Sequence, residues 1–212
     1  VENGYCELTA FPYENVEWSE KEKEDIALLL EILYLHVTRS RLIRKTREYS
    51  YCNLITMLPN SAGFVRIIQQ RCQNQTICQY NGFYFNLKSF GLLSYKYGGA
   101  EGDLIIKRYA VAVRKWLAED ETLAHLGGDN FMALVKKSRT AEFLHFLEKV
   151  EVTAKYMGRI VPVYIAAAAG VYEITAKDRD PRNIMNGLSI AVSYARQHKL
   201  PYAFLTDKML EE

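Results

Sequence analysis

Leu126-Gly127-Gly128-Asp129-Asn130-Phe131 sets a bare stretch of backbone beside a carboxylate, between two apolar runs. Leu123 and Leu126 precede the break; Phe131, Met132, Ala133, Leu134 and Val135 follow it. Short apolar runs joined by Gly-Gly-Asp-Asn predict a β-hairpin whose turn needs φ > 0. A tight turn alone would account for the glycines. They also let a ligand approach the main chain closely, and the next side chain, Asp129, is an anion. Such a hairpin tip suits a phosphate and the metal ion that travels with it.

The elements that must hold this tip can be read in order. Residues 1 to 18 mix aromatic and polar side chains, and Tyr5 to Phe11 is expected as a strand, the end of a preceding domain. Ser19 followed by Glu22 is a capping-box signature, so a helix is predicted from there to about Glu48. Within it Ile26, Leu30, Leu33 and Val37 alternate four- and three-residue steps, as in a coiled-coil seam. The helix either packs on its own domain or pairs with its twin as a signalling helix. The cluster Arg39, Arg41, Arg44, Lys45 and Arg47 lies where cations suit a helix C-terminus and is read as a solvated face.

Asn60 is expected to cap a helix carrying Phe64, Ile67 and Ile68. Cys78 to Leu87, rich in aromatics, reads as a strand. Ala100 to Ala118 reads as a helix with Leu104, Ile105, Tyr109, Val111, Ala112 and Trp116 toward the core. Residues 140 to 149 read as a helix burying Phe143, Leu144 and Leu147. Val150 to Tyr156 and Ile160 to Glu173 read as paired strands about Met157-Gly158, Asn183 to His198 as the last helix, and Tyr202 to Leu205 as a final strand. This order predicts an α+β or α/β domain, a mixed sheet with helices packed on it.

The length of 212 residues suits one domain, or one domain with an extension, and is enough to bury a real core. Its 27 basic and 25 acidic residues leave a net charge of +2, which gives no global drive toward nucleic acid or membrane. Neither contact is expected of this fragment. The longest apolar run, Ile160 to Tyr172, contains Pro162 and Gly170 and is too short to span a bilayer. Cys6, Cys52, Cys72 and Cys78 form no C-x-x-C pair, so zinc is not expected and reduced thiols are. There is no signal-peptide pattern, and a chain that starts at Val1 is expected to be excised from something longer. A cytoplasmic location follows, as the cytoplasmic part of a larger protein.

Five stretches in order resemble the GGDEF domains, the diguanylate cyclases. Leu126 to Phe131 resembles the signature itself, with Asn130 where the family has Glu. Ile55-Thr56-Met57-Leu58-Pro59-Asn60, then Phe64, resembles the entry L-T-G-L-P-N-R-x-x-F. Tyr97-Gly98 with Gly102-Asp103 resembles Y-G-H-x-x-G-D. Val163 to Val171 fits the strand that usually reads S-x-G, and Ala191 to Arg196 fits A-x-x-x-A-K. The resemblance covers roughly residues 50 to 206 and divides the chain into 1–18, a linker helix 19–49 and a domain 50–212. It implies a central sheet like the nucleotidyl-cyclase and polymerase palm. It implies a reaction too, in which two GTP molecules on a head-to-head dimer condense to cyclic di-GMP. Carboxylates hold the divalent ions in such phosphoryl transfer.

The same comparison marks where this chain departs from the pattern. Asn86 stands at the family's metal-binding Asp and Lys88 at its second Asp; Gly91 replaces a phosphate-contacting Lys. Ser94 stands where an Asn reads guanine, Tyr95 where an Asp follows, and Leu200 where a second cation is expected. The resemblance leaves Gly127, Gly128, Asp103, Ser94 and Arg196 as nucleotide-facing positions. Asn86 and Asp129 are the relic metal positions, and Asp129 and Asn130 the relic catalytic ones. The product-inhibition motif R-x-x-D would fall on Ala118 and Glu121 and is absent.

Losing one preorganised charge at such a site costs about 10²–10³ in rate, so several losses predict negligible turnover. The expectation is a degenerate, catalytically inactive GGDEF domain, a regulatory or dimerisation module in bacterial cyclic di-GMP signalling. No cofactor is expected, and GTP binding is weak or absent. A homodimer through the N-terminal helix and neighbouring EAL and sensor domains are the expected partners. Two alternatives stay open: a divergent active diguanylate cyclase using Mg²⁺, and an allosteric GTP-binding sensor.

Overall fold

The computed structural model describes residues 7–12 and 17–211. The chain divides into two units, Val1–Tyr49 and Ser50–Glu212.

In the first unit, helix α1 runs Glu20–Tyr49. Its capping box forms as the sequence predicts: the Ser19 N–H and hydroxyl both donate to a Glu22 carboxylate oxygen, at 2.8 and 2.7 Å. These bonds favour the ionised carboxyl and hold it below its usual range. Along α1, Ile26, Leu30 and Val37 are half-buried and Leu33 is exposed, as are Leu28, Leu29, Ile32 and Leu35. The apolar character is thus broader than the predicted seam. The strand expected at Tyr5 to Phe11 is not there over Glu7–Phe11, which is irregular; Tyr5 lies outside the described residues. With no second strand beside it, a short aromatic run has no ladder to join.

The second unit is built on a five-stranded sheet in the order β2-β3-β1-β6-β7. The strands are β1 (Tyr80–Leu87), β2 (Thr122–Gly127), β3 (Asn130–Lys136), β6 (Ala167–Glu173) and β7 (Tyr202–Phe204). All neighbours are antiparallel except β6 and β7, so the sheet is mixed, as predicted. The alternation of β1 and β3 divides the core. Phe83, Phe85, Phe131 and Val135 pack on one face with Ile105, Tyr109 and Val113 of α4 (Gly99–Trp116) and Phe143 of α5 (Thr140–Glu148). Tyr80, Met132 and Leu134 pack on the other with Phe64 and Ile68 of α2 (Ser61–Gln73) and Ile184 and Leu188 of α6 (Pro181–Gln197). Gly170 of β6 lets α6 come down onto the sheet: a Cβ there would run into the backbone of Ala191 and Val192.

Four expectations need correcting. On α4, Leu104 and Val111 are exposed, and the buried stripe is Gly102, Ile105, Ile106, Tyr109, Ala110 and Val113. A helical period of 3.6 cannot bury both sets, and the sheet selects the second. The expected strand Ile160 to Glu173 is two strands, β5 (Arg159–Ile165) and β6, parted at Ala166, whose carbonyl accepts from the Lys88 N–H at 2.8 Å. β5 pairs instead with β4 (Val150–Tyr156) in a separate two-stranded sheet, turning at Met157-Gly158 as predicted. Between β1 and α4 lies a helix the sequence reading lacked, α3 (Phe90–Tyr97). Finally, α6 starts at Pro181, because Asp180 caps it, and a short α7 (Lys208–Glu211) follows β7.

The outer edge of β4 is covered by α4. Arg108 donates to the Thr153 carbonyl at 2.8 Å, and the Lys155 N–H donates to Glu101 at 2.7 Å. Glu101 and Arg108 are themselves paired at 2.6 Å.

Candidate functional site

The hairpin tip is where the sequence puts it. Gly127 and Asn130 pair across a two-residue turn of Gly128 and Asp129, after a bulge between His125 and Gly127. Gly127 and Gly128 have φ of 125° and 57°, conformations that residues with a Cβ adopt only at a cost.

Register decides what surrounds Asp129. Asn86, at the end of β1, lies directly opposite Asn130. The Asn86 Nδ2 donates to the Asn130 Oδ1 at 3.1 Å, and the Tyr84 hydroxyl donates to the same oxygen at 3.3 Å. The Asn130 Nδ2 donates to the Asp129 Oδ1 at 3.0 Å and toward the Gly127 carbonyl at 3.4 Å. The Leu87 N–H donates to the Asp129 carbonyl at 3.0 Å. The Asn130 carboxamide is therefore fully engaged: its oxygen takes two donors and its nitrogen gives to two acceptors. A hard divalent cation wants several anionic oxygens. Here one carboxylate remains, and one of its oxygens already accepts from an amide. Among the described residues no group of three or more His, Cys, Asp or Glu side chains is placed to hold a metal ion.

Arg196, exposed on α6, and Asp129 both act on the Tyr84 hydroxyl. Burial pushes that hydroxyl above its ordinary range, the Arg196 charge works against the shift, and the Asp129 charge adds to it. The structure thus gathers Asn86, Asp129, Asn130, Tyr84 and Arg196 at one end of the sheet. Ser94 and Asp103 sit on α3 and α4. Gly102, beside Asp103, packs so close to Ser94 that a Cβ would lie 2.6 Å from its Oγ. No hydrogen bond joins Ser94 or Asp103 to the hairpin among the described residues.

The residue that sequence reasoning missed is His125, which is fully buried. Its Nε2 lies 3.0 Å from the Gly128 carbonyl and its Nδ1 3.1 Å from the Thr56 Oγ. A carbonyl only accepts, so Nε2 carries the proton and Nδ1 accepts from the Thr56 hydroxyl. The ring stacks on Phe131 with centroids 4.4 Å apart, and the His125 N–H donates to the Pro59 carbonyl at 2.9 Å. Burial holds the imidazole below its ordinary range; the bond to Gly128 works the other way. One side chain thereby ties the Thr56-to-Pro59 loop to the hairpin turn. The signal was a lone polar residue at an inward position of β2, two places before the Gly-Gly.

Glu121, at the expected place of the inhibition motif, is turned inward. It accepts from the Ala118 and Lys136 N–H groups at 2.9 and 3.0 Å and pairs with Arg139. The Arg139 guanidinium lies 4.1 Å over the Trp116 ring.

The family model described as "Diguanylate cyclase, GGDEF domain" matches residues 51–200. Diguanylate cyclase DgcP of Escherichia coli is 21% identical over 221 residues, covering 97% of this chain and 64% of that protein. The bifunctional diguanylate cyclase/cyclic di-GMP phosphodiesterase MucR of Pseudomonas aeruginosa is 26% identical over 199 residues, 87% of this chain and 29% of that protein. The chain thus spans less than two thirds of either relative. Among solved structures, the coiled coil and GGDEF domain of DgcB from Caulobacter crescentus, in complex with c-di-GMP, superposes with a TM-score of 0.66. It is 15% identical and covers 85% of this chain and 98% of that one. A diguanylate cyclase/phosphodiesterase from Caldicellulosiruptor saccharolyticus superposes with a TM-score of 0.62 at 17% identity, over 74% and 94% of the two chains.

Proposed function

The chain belongs to the GGDEF domain family of cyclic di-GMP signalling, and from that premise we propose that it is a non-catalytic member, a regulatory and dimerisation module. The observation that carries this reading is the Asn86–Asn130 amide pair. In a cyclase Mg²⁺ neutralises phosphate charge and activates the attacking oxygen. Here the positions that should supply its anionic oxygens hold two carboxamides bonded to each other. This donor set does not fit the ion. Gly91 and Ser94 support the same reading, since neither carries the charge or amide that GTP would need.

The dimerisation part rests on α1, whose exposed leucines and isoleucines call for a partner. The DgcB structure, which includes a coiled coil, covers 85% of this chain. Substituting Leu33 with Asp should turn a dimer into a monomer in sedimentation velocity. Neighbouring EAL and sensor domains would be what such a module regulates, with the whole in the cytoplasm. Among the described residues no helix is long and apolar enough to cross a membrane.

The test is direct. The purified chain, with GTP and Mg²⁺, should release no cyclic di-GMP, and calorimetry should give no heat of GTP binding. Steady product release would overturn the reading in favour of a divergent active cyclase, in which case Asp129→Asn should abolish it. Tight GTP binding without turnover would establish an allosteric sensor instead.

A further inference from the structure

We propose, resting on the dimerisation reading above, that α1 pairs with α1 of a second copy in antiparallel orientation, centred between Glu31 and Ile32. Ile26, Leu30, Leu33 and Val37 are spaced by steps of four, three and four. At 3.6 residues per turn they fall within about 60° of the helix circumference. The steps are the same read from either end. Two antiparallel copies therefore interlock about the centre, Ile26 on the partner's Val37 and Leu30 on the partner's Leu33. Beside them Tyr34 meets the partner's Ala27, a large side chain against a small one. A parallel pair could bury the same four residues, so direction is left to the charges.

The two halves of α1 carry opposite charge. Residues 20–31 hold five acids and two lysines; residues 32–46 hold Arg39, Arg41, Arg44 and Lys45 and no acid. A helix dipole favours this order only within its first and last turns. Arg39 and Arg41 stand more than two turns before the end at Tyr49. Among the described residues the only ion pair on α1 is Lys23–Glu20 at 2.7 Å, and all four of those cations are exposed.

The same spacing continues the seam to Ser19 and Lys23 on one side and to Ser40 and Arg44 on the other. In a parallel, in-register pair each seam residue meets its own copy. Lys23 would face the partner's Lys23 and Arg44 the partner's Arg44, with cationic half beside cationic half. Reversal removes both conflicts. Lys23 then faces the partner's Ser40 and Arg44 the partner's Ser19, while Arg41 comes beside the partner's Glu20 on the flank of the seam. Each acidic half lies along a cationic half, and this complementarity selects a second copy of the chain as the occupant. At 1.5 Å per residue the two Tyr49 ends lie roughly 50 Å apart.

The experiment is a charge-swap cycle on the 212-residue chain, read as the dimer dissociation constant by sedimentation velocity at low salt. Glu20→Arg and Arg41→Glu should each weaken the dimer about fivefold, since each contact occurs twice per dimer. The chain carrying both should return to within about twofold of the wild type. Within one helix the two positions are nearly six turns apart, and in a parallel pair they never meet, so only the antiparallel pair couples them. Unfolding midpoints should not move. Losses that multiply in the double variant overturn the antiparallel pairing and leave the dimerisation reading standing. A chain that stays monomeric at every concentration overturns both. A dimer that Leu33→Asp fails to break has its interface elsewhere and overturns the pairing of α1.

Discussion

His125 makes the sharpest claim about how this domain is held together. Truncation to alanine removes the bonds to the Gly128 carbonyl and the Thr56 hydroxyl and takes a stacked ring from Phe131. At about 1 kcal/mol for each lost bond and about 1 kcal/mol for the ring contact, the loss is roughly 3 kcal/mol. For a unit of this size that lowers the melting temperature by about 6–12 °C. The pH dependence is more specific than the size of the loss. In the folded chain the imidazole is neutral and held below its ordinary range, whereas the unfolded chain takes up a proton near pH 6.5. Between the two values the unfolded state binds more protons, so stability rises with pH. The contribution is complete above the unfolded value and is lost as pH falls toward the depressed folded one. His125→Gln, which keeps a donor near Gly128 but does not titrate, removes it. Urea unfolding followed by Trp116 fluorescence should therefore show the wild-type chain losing stability from about pH 7.5 to about pH 5.5 faster than the variant. The slope difference should be at most about 1.4 kcal/mol per pH unit. A gap between the two that stays constant across that window would refute a neutral, buried His125.

Three other expectations follow from the packing. Asn86→Asp with Asn130→Glu should restore a cation site: millimolar Mg²⁺ should raise the melting temperature of the double variant and leave the wild type unmoved, with about 2.7 kcal/mol gained at a hundredfold excess over Kd. Gly170→Ala should cost about 1–3 kcal/mol in denaturant unfolding, since its methyl group meets α6 backbone rather than a side chain that can swing away. Glu121→Ala should cost roughly 3 kcal/mol, because it removes the buried carboxylate that pairs with half-buried Arg139 and accepts from two N–H groups.

Local chemistry made much of the fold legible from sequence. Ser19 and Glu22, Asn60, Gly127-Gly128 and Met157-Gly158 each mark an element boundary by what their own atoms do, and each is found there. Register and phase were not legible in the same way. Leu104 and Val111 are as apolar as Ile106 and Val113, and only the sheet decides which pair it covers. The apolar run from Ile160 to Glu173 contains no sign that it must break at Ala166, because the break is made by the Lys88 N–H more than seventy residues earlier. At the site, the replaced residues were legible one at a time. That Asn86 and Asn130 would bond to each other was not, since it needs β1 and β3 aligned. His125 escaped because a buried histidine looks like any other until both of its nitrogens have partners.

The strand order also sets a timetable. β1 is the centre of the sheet and the first strand made, yet its neighbours are β3, some fifty residues later, and β6, more than eighty later. β7 closes the edge of β6 only with Tyr202–Phe204, close to the end of the chain. A nascent chain on the ribosome therefore makes its most aromatic strand some fifty residues ahead of the first strand it can pair with. Shielding of Phe83 and Phe85 during that interval must come from chaperones or from transient collapse, and a stop codon before Tyr202 would leave β6 open to pairing with a second molecule.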